Sequence, residues 1–244
     1  MLYGNRVDLA VIIPAFNEAE NIAPLLDEIT ARLEGLSGYE IIVVDDGSTD
    51  ATPAQLAEAR RRMPQLRVIR HRRRCGQSAA IATGVATARA QWILTLDGDG
   101  QNDPADILRL YQAMDQAADD LWLVAGFRRR RVDSQLKRVS SRIANGVRRV
   151  VLRDAAPDSA CGLKLFARET FLSLPQFDHM HRFLPALVRR QGGRVQYLEV
   201  NGRARRHGRS HYGIHNRLWT GMLDLLGVAW LQRRALHTEI ETED

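Results

Sequence analysis

Between residues 9 and 125, short β-branched runs alternate with longer stretches of helical periodicity. Leu9–Ile13, Glu40–Val44, Leu66–Ile69, Trp92–Leu96 and Leu121–Ala125 read as strands, and Glu18–Leu33, Thr52–Arg62, Ser78–Arg89 and Pro104–Ala117 as helices. Strands that take turns with helices cannot close hairpins, so the pattern predicts an α/β fold. Its sheet is mostly parallel and covered by helices on both faces. Helix starts are written in side chains: Ser48-Thr49-Asp50-Ala51-Thr52-Pro53 offers capping oxygens with a proline in the first turn, and Asp103-Pro104 repeats the device.

In such a sheet the strand ends open into one crevice, and the polar residues there carry the chemistry. The run Trp92–Leu96 ends in Asp97-Gly98-Asp99-Gly100-Gln101. Carboxylates at alternate positions where a strand runs out can point the same way. With the amide oxygen of Gln101 they suit Mg²⁺ or Mn²⁺, hard ions that keep positions for water and phosphate. Alone, the same pair also describes a solvated turn. An EF-hand is excluded, because Asn102 stands where the loop glycine is needed and Leu108 where the bidentate glutamate belongs. The first strand ends in Pro14-Ala15-Phe16-Asn17-Glu18 and the second in Val43-Val44-Asp45-Asp46-Gly47-Ser48, so three strand ends deliver polar groups to one place. Asp45 and Glu18 are acceptors suited to a base or ribose, while Asp46 and Ser48 read equally well as turn or helix caps.

The 244 residues, 45% hydrophobic, suffice for one full domain or one domain with an extension. The formal charge of +6 favours an anionic partner: a lipid surface, a phosphorylated substrate or nucleic acid. Nucleic acid is the weakest of these, since the basic residues lack interleaved aromatics and no recognition motif is present. Cys75 and Cys161 make no metal spacing and no disulfide framework, and read as reduced thiols. Leu9–Ile13 is too short for a signal peptide, so a cytoplasmic protein is expected. Leu218–Leu231 is too short to span a bilayer and contains Asp224. With Trp219, Trp230, Arg233 and Arg234 it reads either as an interfacial helix or as an ordinary amphipathic helix packed on the domain. A second helical pattern, Gln135–Leu152, has Leu136, Val139, Ile143, Val147 and Val150 on one face and Lys137, Arg138, Arg142, Arg148 and Arg149 around the other. That basic side is either a solvated face or a phosphate-facing one. A late strand, Arg194–Val200, precedes a basic loop from Arg203 to Tyr212, and the acidic end from Glu239 is expected to fray.

These blocks together resemble the family 2 glycosyltransferases, and within them the polyprenyl-phosphate sugar transferases of the dolichyl-phosphate mannose synthase type. The resemblance rests on Pro14-Ala-Phe-Asn-Glu18, Val44-Asp-Asp-Gly-Ser-Thr-Asp50, the Gly76–Gly84 stretch and Asp97-Gly-Asp-Gly-Gln101. It continues through Gly126-Phe-Arg128, Ser141-Arg-Ile-Ala-Asn145, Asp158-Ser-Ala-Cys-Gly162 and Arg205-Arg-His-Gly-Arg-Ser210. It implies a GT-A fold over residues 1–212, a C-terminal amphipathic helix over 213–236 and an acidic tail over 237–244. It also implies inverting transfer of a sugar from a GDP- or UDP-linked donor to a polyprenyl phosphate. On these positions Pro14, Ala15, Glu18, Val43, Asp45, Gln77 and His211 line the nucleotide-sugar pocket, and Asp97, Asp99 and Gln101 hold Mg²⁺ or Mn²⁺. Arg128 and Arg205 meet the donor diphosphate, and Lys137, Ser141 and Arg206 the acceptor phosphate. The expected location is the cytoplasmic face of a membrane, reached peripherally or through an integral membrane partner.

The chain departs from the family pattern at three places. His211 stands where a lysine is usual, Cys161 where a hydroxyl precedes the glycine, and Lys164 where an arginine follows. A soluble acceptor would require a carboxylate base, for which Asp158 is the candidate. A non-catalytic GT-A-like module is the remaining alternative. The Gln-x-x-Arg-Trp signature of processive synthases is absent from the sequence.

Overall fold

The structure, a computed structural model, describes residues 8–36, 38–129, 146, 148, 150–152, 156–204 and 214–234, with the side chains of 214–220 outside the description. Its strands are β1 (Leu9–Ala15), β2 (Tyr39–Asp45), β3 (Leu66–Arg70), β4 (Trp92–Thr95), β5 (Leu121–Phe127), β6 (Lys164–Ala167) and β7 (Arg194–Glu199). Helices α1 (Ile22–Leu33), α2 (Thr52–Arg62), α3 (Gln77–Thr87) and α4 (Asp106–Asp115) alternate with the first five strands. Helices α5 (Arg168–Ser173), α6 (Leu184–Arg190) and α7 (Ile214–Gln232) follow, with a single 3-10 turn at Met180–Arg182. The strands form one seven-stranded sheet in the order β3-β2-β1-β4-β6-β5-β7. Every pairing is parallel except those of β6, which runs antiparallel to both β4 and β5.

The two-residue period of a strand sorts side chains into two cores. Leu9, Val11, Ile13, Ile41 and Val43 face one layer with α1, α2 and α4, where Ile29, Leu56 and Leu110 are buried. Ala10, Ile12, Ile42 and Val44 face the other, with Ile81 and Val85 of α3, Phe171 of α5, Leu187 of α6 and Val228 of α7. Helix α3 lies so close to the sheet that a Cβ on Gly84 would fall 2.5 Å from Ile12 Cγ2.

The expected strands are present, as are the helices expected over 18–33, 52–62, 78–89, 104–117 and 218–231, most with shifted ends; the helical pattern over 135–152 lies largely outside the described residues. The first helix begins at Ile22 rather than Glu18, because side chains after β2 claim the intervening backbone. Ser48 Oγ accepts from Asn17 N–H (2.9 Å), Thr52 Oγ1 from Glu18 N–H (2.9 Å) and Asp50 Oδ2 from Ala19 N–H (3.3 Å). Asn17 takes a left-handed conformation, φ 56°, and its Oδ1 accepts from Thr49 N–H in return. Strand β6 was not foreseen: Lys-Leu-Phe-Ala is short, opens on a charge and pairs with β4 across some seventy residues of chain. No helix among the described residues is long and apolar enough to cross a membrane.

Candidate active site

The parallel strands bring Ala15, Asp45 and the residues after Thr95 to one edge of the sheet, as the alternation requires. Antiparallel β6 enters at the same edge, with Lys164 paired to Thr95 on one side and Ala125 on the other. Pro14, Gln77, Gly162 and His181, from distant parts of the sequence, therefore meet around Asp97.

Asp97 is fixed from several sides. Its N–H donates to Oδ1 of Asn102, a fully buried residue (3.2 Å), and its Oδ1 accepts from Gln77 Nε2 at the start of α3 (2.9 Å). Beneath the carboxyl lies Gly162, whose carbonyl accepts from Thr95 Oγ1 (2.6 Å). A Cβ built on Gly162 would sit 2.3 Å from Asp97 Cγ, so glycine is required for the carboxylate to lie where it does. Two residues on, Asp99 Oδ1 accepts from Gln101 N–H (3.1 Å), and Gly100 supplies the positive φ of the turn, 73°. The loop is locked from outside by residues 201–203. Arg203 N–H donates to the Gln101 carbonyl (3.0 Å), and the Arg203 guanidinium reaches Asp103 (2.7 Å) and Glu28 (2.5 Å). Asp106, fully buried, accepts from Asn201 N–H (2.7 Å).

Burial, and then the charge of Asp99, push the Asp97 carboxyl up to about 6, against the pull of Lys164, Arg128 and the Gln77 hydrogen bond. Lys164 is buried and its Nζ donates to the Cys161 carbonyl, while burial draws its own pKa down. Burial and the neighbouring Lys164 and Arg182 hold His181 well below the usual imidazole range. Its Nδ1 lies 2.7 Å from Ser78 Oγ. A small cavity behind the carboxyl is lined by Pro14, Gln77, Asp97, Gly162, Lys164 and His181. Burial also raises the Cys161 thiol, which fits an unreactive core cysteine.

Arg128, the first residue after β5, is almost enclosed. Its Nε donates to Asp158 Oδ2 (2.9 Å); burial opposes its charge, but Asp158 holds the pKa above the ordinary value. Asp158 is thus the positioning partner of an arginine, a role the sequence left unassigned.

The other anticipated residues divide. Pro14 borders the cavity, and the Ala15 carbonyl accepts from Asp46 N–H (2.8 Å). Glu18 Oε2 accepts from Asn21 Nδ2 (2.7 Å). Asp45, at the end of β2, accepts from Ser48 N–H through Oδ1 (2.8 Å). Its buried Oδ2 receives no hydrogen bond among the described residues, though Arg70 Nε lies 3.2 Å away. The side chain of Val43 is fully buried in the core that the sheet shares with α1 and α2. Lys137, Ser141, Arg205, Arg206 and His211 lie outside the described residues.

Asp46 and Ser48 accept from backbone N–H groups of distant loops. Asp46 accepts from the N–H groups of Cys75 and Gly76 (both 2.8 Å) and lies 2.8 Å from His71 Nδ1, fastening the loop before α3. Asp46, His71 and Cys75 also bring potential ligand atoms within 4.8 Å of one another. Asp46 is already engaged by those donors, and the cluster reads as a brace that places Gln77 against Asp97.

A mostly parallel sheet with one reversed strand, ending in a paired carboxylate loop bedded on glycine, makes a GT-A-like fold. The profile of Glycosyl transferase family 2 matches residues 10–174, and the chain belongs to that family. It is 35% identical to the dodecaprenyl-phosphate galacturonate synthase of Rhizobium johnstonii, over 93% of this chain and 68% of that protein. It is 32% identical to the undecaprenyl-phosphate 4-deoxy-4-formamido-L-arabinose transferase of Edwardsiella ictaluri, over 84% of this chain and 63% of that protein. The chain thus spans about two thirds of the length of these relatives. Among solved structures, glucosyl-3-phosphoglycerate synthase from Mycobacterium tuberculosis, in complex with Mg²⁺ and UDP, superposes with a TM-score of 0.70. At 18% identity, over 95% of this chain and 81% of that one, it shares the fold.

Proposed function

We propose that this glycosyltransferase moves a sugar from a UDP-linked donor to a polyprenyl phosphate, with inversion and with Mg²⁺ or Mn²⁺ in the crevice. The observation that carries the reading is the Asp97–Asp99 pair, held at the crevice by Gln77, Asn102 and Gly162. The donor set fits a hard divalent ion: it is all oxygen, and the burial and neighbouring Asp99 charge that raise the proton affinity of Asp97 are what a cation relieves. The lipid class is supported by the relatives, a dodecaprenyl-phosphate and an undecaprenyl-phosphate sugar transferase.

Uridine is favoured by Asp45. One of its oxygens is taken by Ser48 N–H, which leaves a single buried acceptor beside the Arg70 guanidinium. Uracil offers one N–H flanked by carbonyls, matching one acceptor next to one cation. Guanine offers adjacent N–H groups that call for both carboxylate oxygens.

In the reaction an acceptor phosphate oxygen attacks the anomeric carbon as the bond from that carbon to the donor diphosphate breaks. A phosphate is already ionised near neutral pH, so no general base is needed. A metal held by Asp97 and Asp99 would supply Lewis-acid neutralisation of the departing diphosphate. Gln77 keeps Asp97 oriented, and Asp158 keeps the Arg128 guanidinium charged and pointed for phosphate contact. By resemblance Gln101 adds a metal contact, Arg205 and His211 serve the donor, and Lys137, Ser141 and Arg206 serve the acceptor.

The test is label transfer from UDP-sugars and GDP-sugars to undecaprenyl phosphate in detergent, with Mn²⁺, Mg²⁺ or EDTA. Metal-dependent label in the organic phase from a UDP-sugar is expected. Metal-dependent hydrolysis without lipid label would move the acceptor to a soluble molecule, and transfer from a GDP-sugar would refute the reading of Asp45.

A further inference from the structure

Helix α7 covers one of its faces and leaves the other bare. Val228 is buried, and Leu225 and Ala229 pack with it against the second core. At 3.6 residues per turn, Met222, Leu223, Leu226 and Trp230 fall on the opposite side within an arc of about 100°. They are exposed by 47, 67, 59 and 58%. A helix on a protein surface ordinarily turns charged groups to water. Between residues 221 and 232 the one charged side chain is Asp224, and it faces the protein, 2.9 Å from His179 Nδ1. The bare stripe therefore carries no charge.

At its C-terminal end the stripe meets cations. Gln232 Nε2 donates to the Leu152 carbonyl (3.2 Å), and Val150 and Val151, just before Leu152 in the chain, are exposed. Arg190 of α6 donates to the carbonyls of Leu231 and Arg234 (2.8 and 3.3 Å), and the Arg234 guanidinium lies 5.5 Å from the Trp230 ring centre. Arg233 and Arg189 stand beside these two.

We propose that this face docks on an anionic lipid bilayer. The stripe enters the boundary between headgroups and acyl chains, Trp230 lies at headgroup depth, and the arginines meet lipid phosphates. An apolar stripe alone would equally suit a second copy of the chain. The arginine-rimmed end is what selects anionic lipid. The inference deepens the proposed function and rests on it for a reason to be at a membrane, but its test requires no turnover.

The full chain is sedimented with vesicles of phosphatidylcholine, with and without phosphatidylglycerol, in the absence of donor and acceptor. Binding to the anionic vesicles, weakened by salt, is expected. Leu223→Glu with Leu226→Glu should lower the partition coefficient at least about tenfold while leaving the thermal transition in place, since both positions are exposed. Arg233→Gln with Arg234→Gln should reduce the preference for anionic lipid. No binding to either vesicle, or equal binding by the double glutamate variant, would overturn the proposal. So would light scattering that shows a dimer dissociated by the same two glutamates. Vesicle binding without sugar transfer would leave this inference standing and count against the reaction instead.

Discussion

Replacing Gly162 by alanine isolates the geometry of Asp97 from its chemistry. The new Cβ would lie 2.3 Å from Asp97 Cγ and Oδ2 and 2.4 Å from Oδ1, where ordinary contact begins near 3.4 Å. The carboxylate must therefore retreat by about 1 Å, which also breaks its 2.9 Å bond from Gln77. Metal–ligand distances tolerate shifts of about 0.2 Å, and a displacement of about 1 Å in a reacting assembly costs on the order of 10²-fold in rate. Gly162 is not in the left-handed region, so the backbone itself accepts alanine. We expect kcat/KM for label transfer to fall about a hundredfold and Mn²⁺ affinity to fall with it. The stability loss should stay within the roughly 1–3 kcal/mol of an overpacked site. Gly221→Ala, where a Cβ meets nothing within 4 Å, serves as the control. Activity of Gly162→Ala within threefold of the parent, with the same metal affinity, would refute the argument that Gly162 seats the metal carboxylate.

Protons and metal should compete for Asp97, whose carboxyl is pushed up to about 6 by burial and by Asp99. Mn²⁺ affinity measured by calorimetry should be flat above that pH and weaken about tenfold per unit below it. In the metal-free protein the sign is reversed for stability. A carboxyl raised above its unfolded value of 3.8 stabilises fully below pH about 4, and that contribution is lost as pH rises through about 6. Thermal melts with and without Mn²⁺ should therefore diverge above pH about 6. Asn102→Ala strands the buried Asp97 N–H, which should cost about 1–3 kcal/mol in urea unfolding and weaken metal binding. Asp158→Ala should leave Arg128 without its 2.9 Å partner and depress kcat more than KM, whereas a catalytic-base role for Asp158 would instead abolish an acidic limb of the pH–rate profile.

The alternation of strands and helices was legible because both periods are written in apolar residues that the cores then use, as with Val11 and Ile12 facing opposite layers. The crevice was legible for the same reason: parallel strands end on one side. What escaped the sequence were residues whose role depends on a distant partner. Lys164 looks like a loop residue until β6 inserts it between Thr95 and Ala125. Asn102 and Gly162 lie 60 residues apart and touch Asp97 from two sides, and neither carries a local signal beyond its type. Asp45 and Val43 show the converse limit. Their positions at a strand end were foreseen, but only packing reveals that Val43 faces the core and that one oxygen of Asp45 is already spent on Ser48.

The reversed strand has a consequence for how such a chain can diversify. The chain leaves the sheet after Phe127 and re-enters at Lys164, and the two points are stitched together by the Arg128–Asp158 ion pair and by Gly126 N–H donating to the Leu163 carbonyl (2.9 Å). Whatever length or composition lies between them departs and returns through one fixed gate. Loop-closure cost grows only slowly with length, so the stretch between Arg128 and Asp158 can change in length around its buried anchors, Arg148, Leu152 and Ala156, while the carboxylate platform beneath it stays as it is.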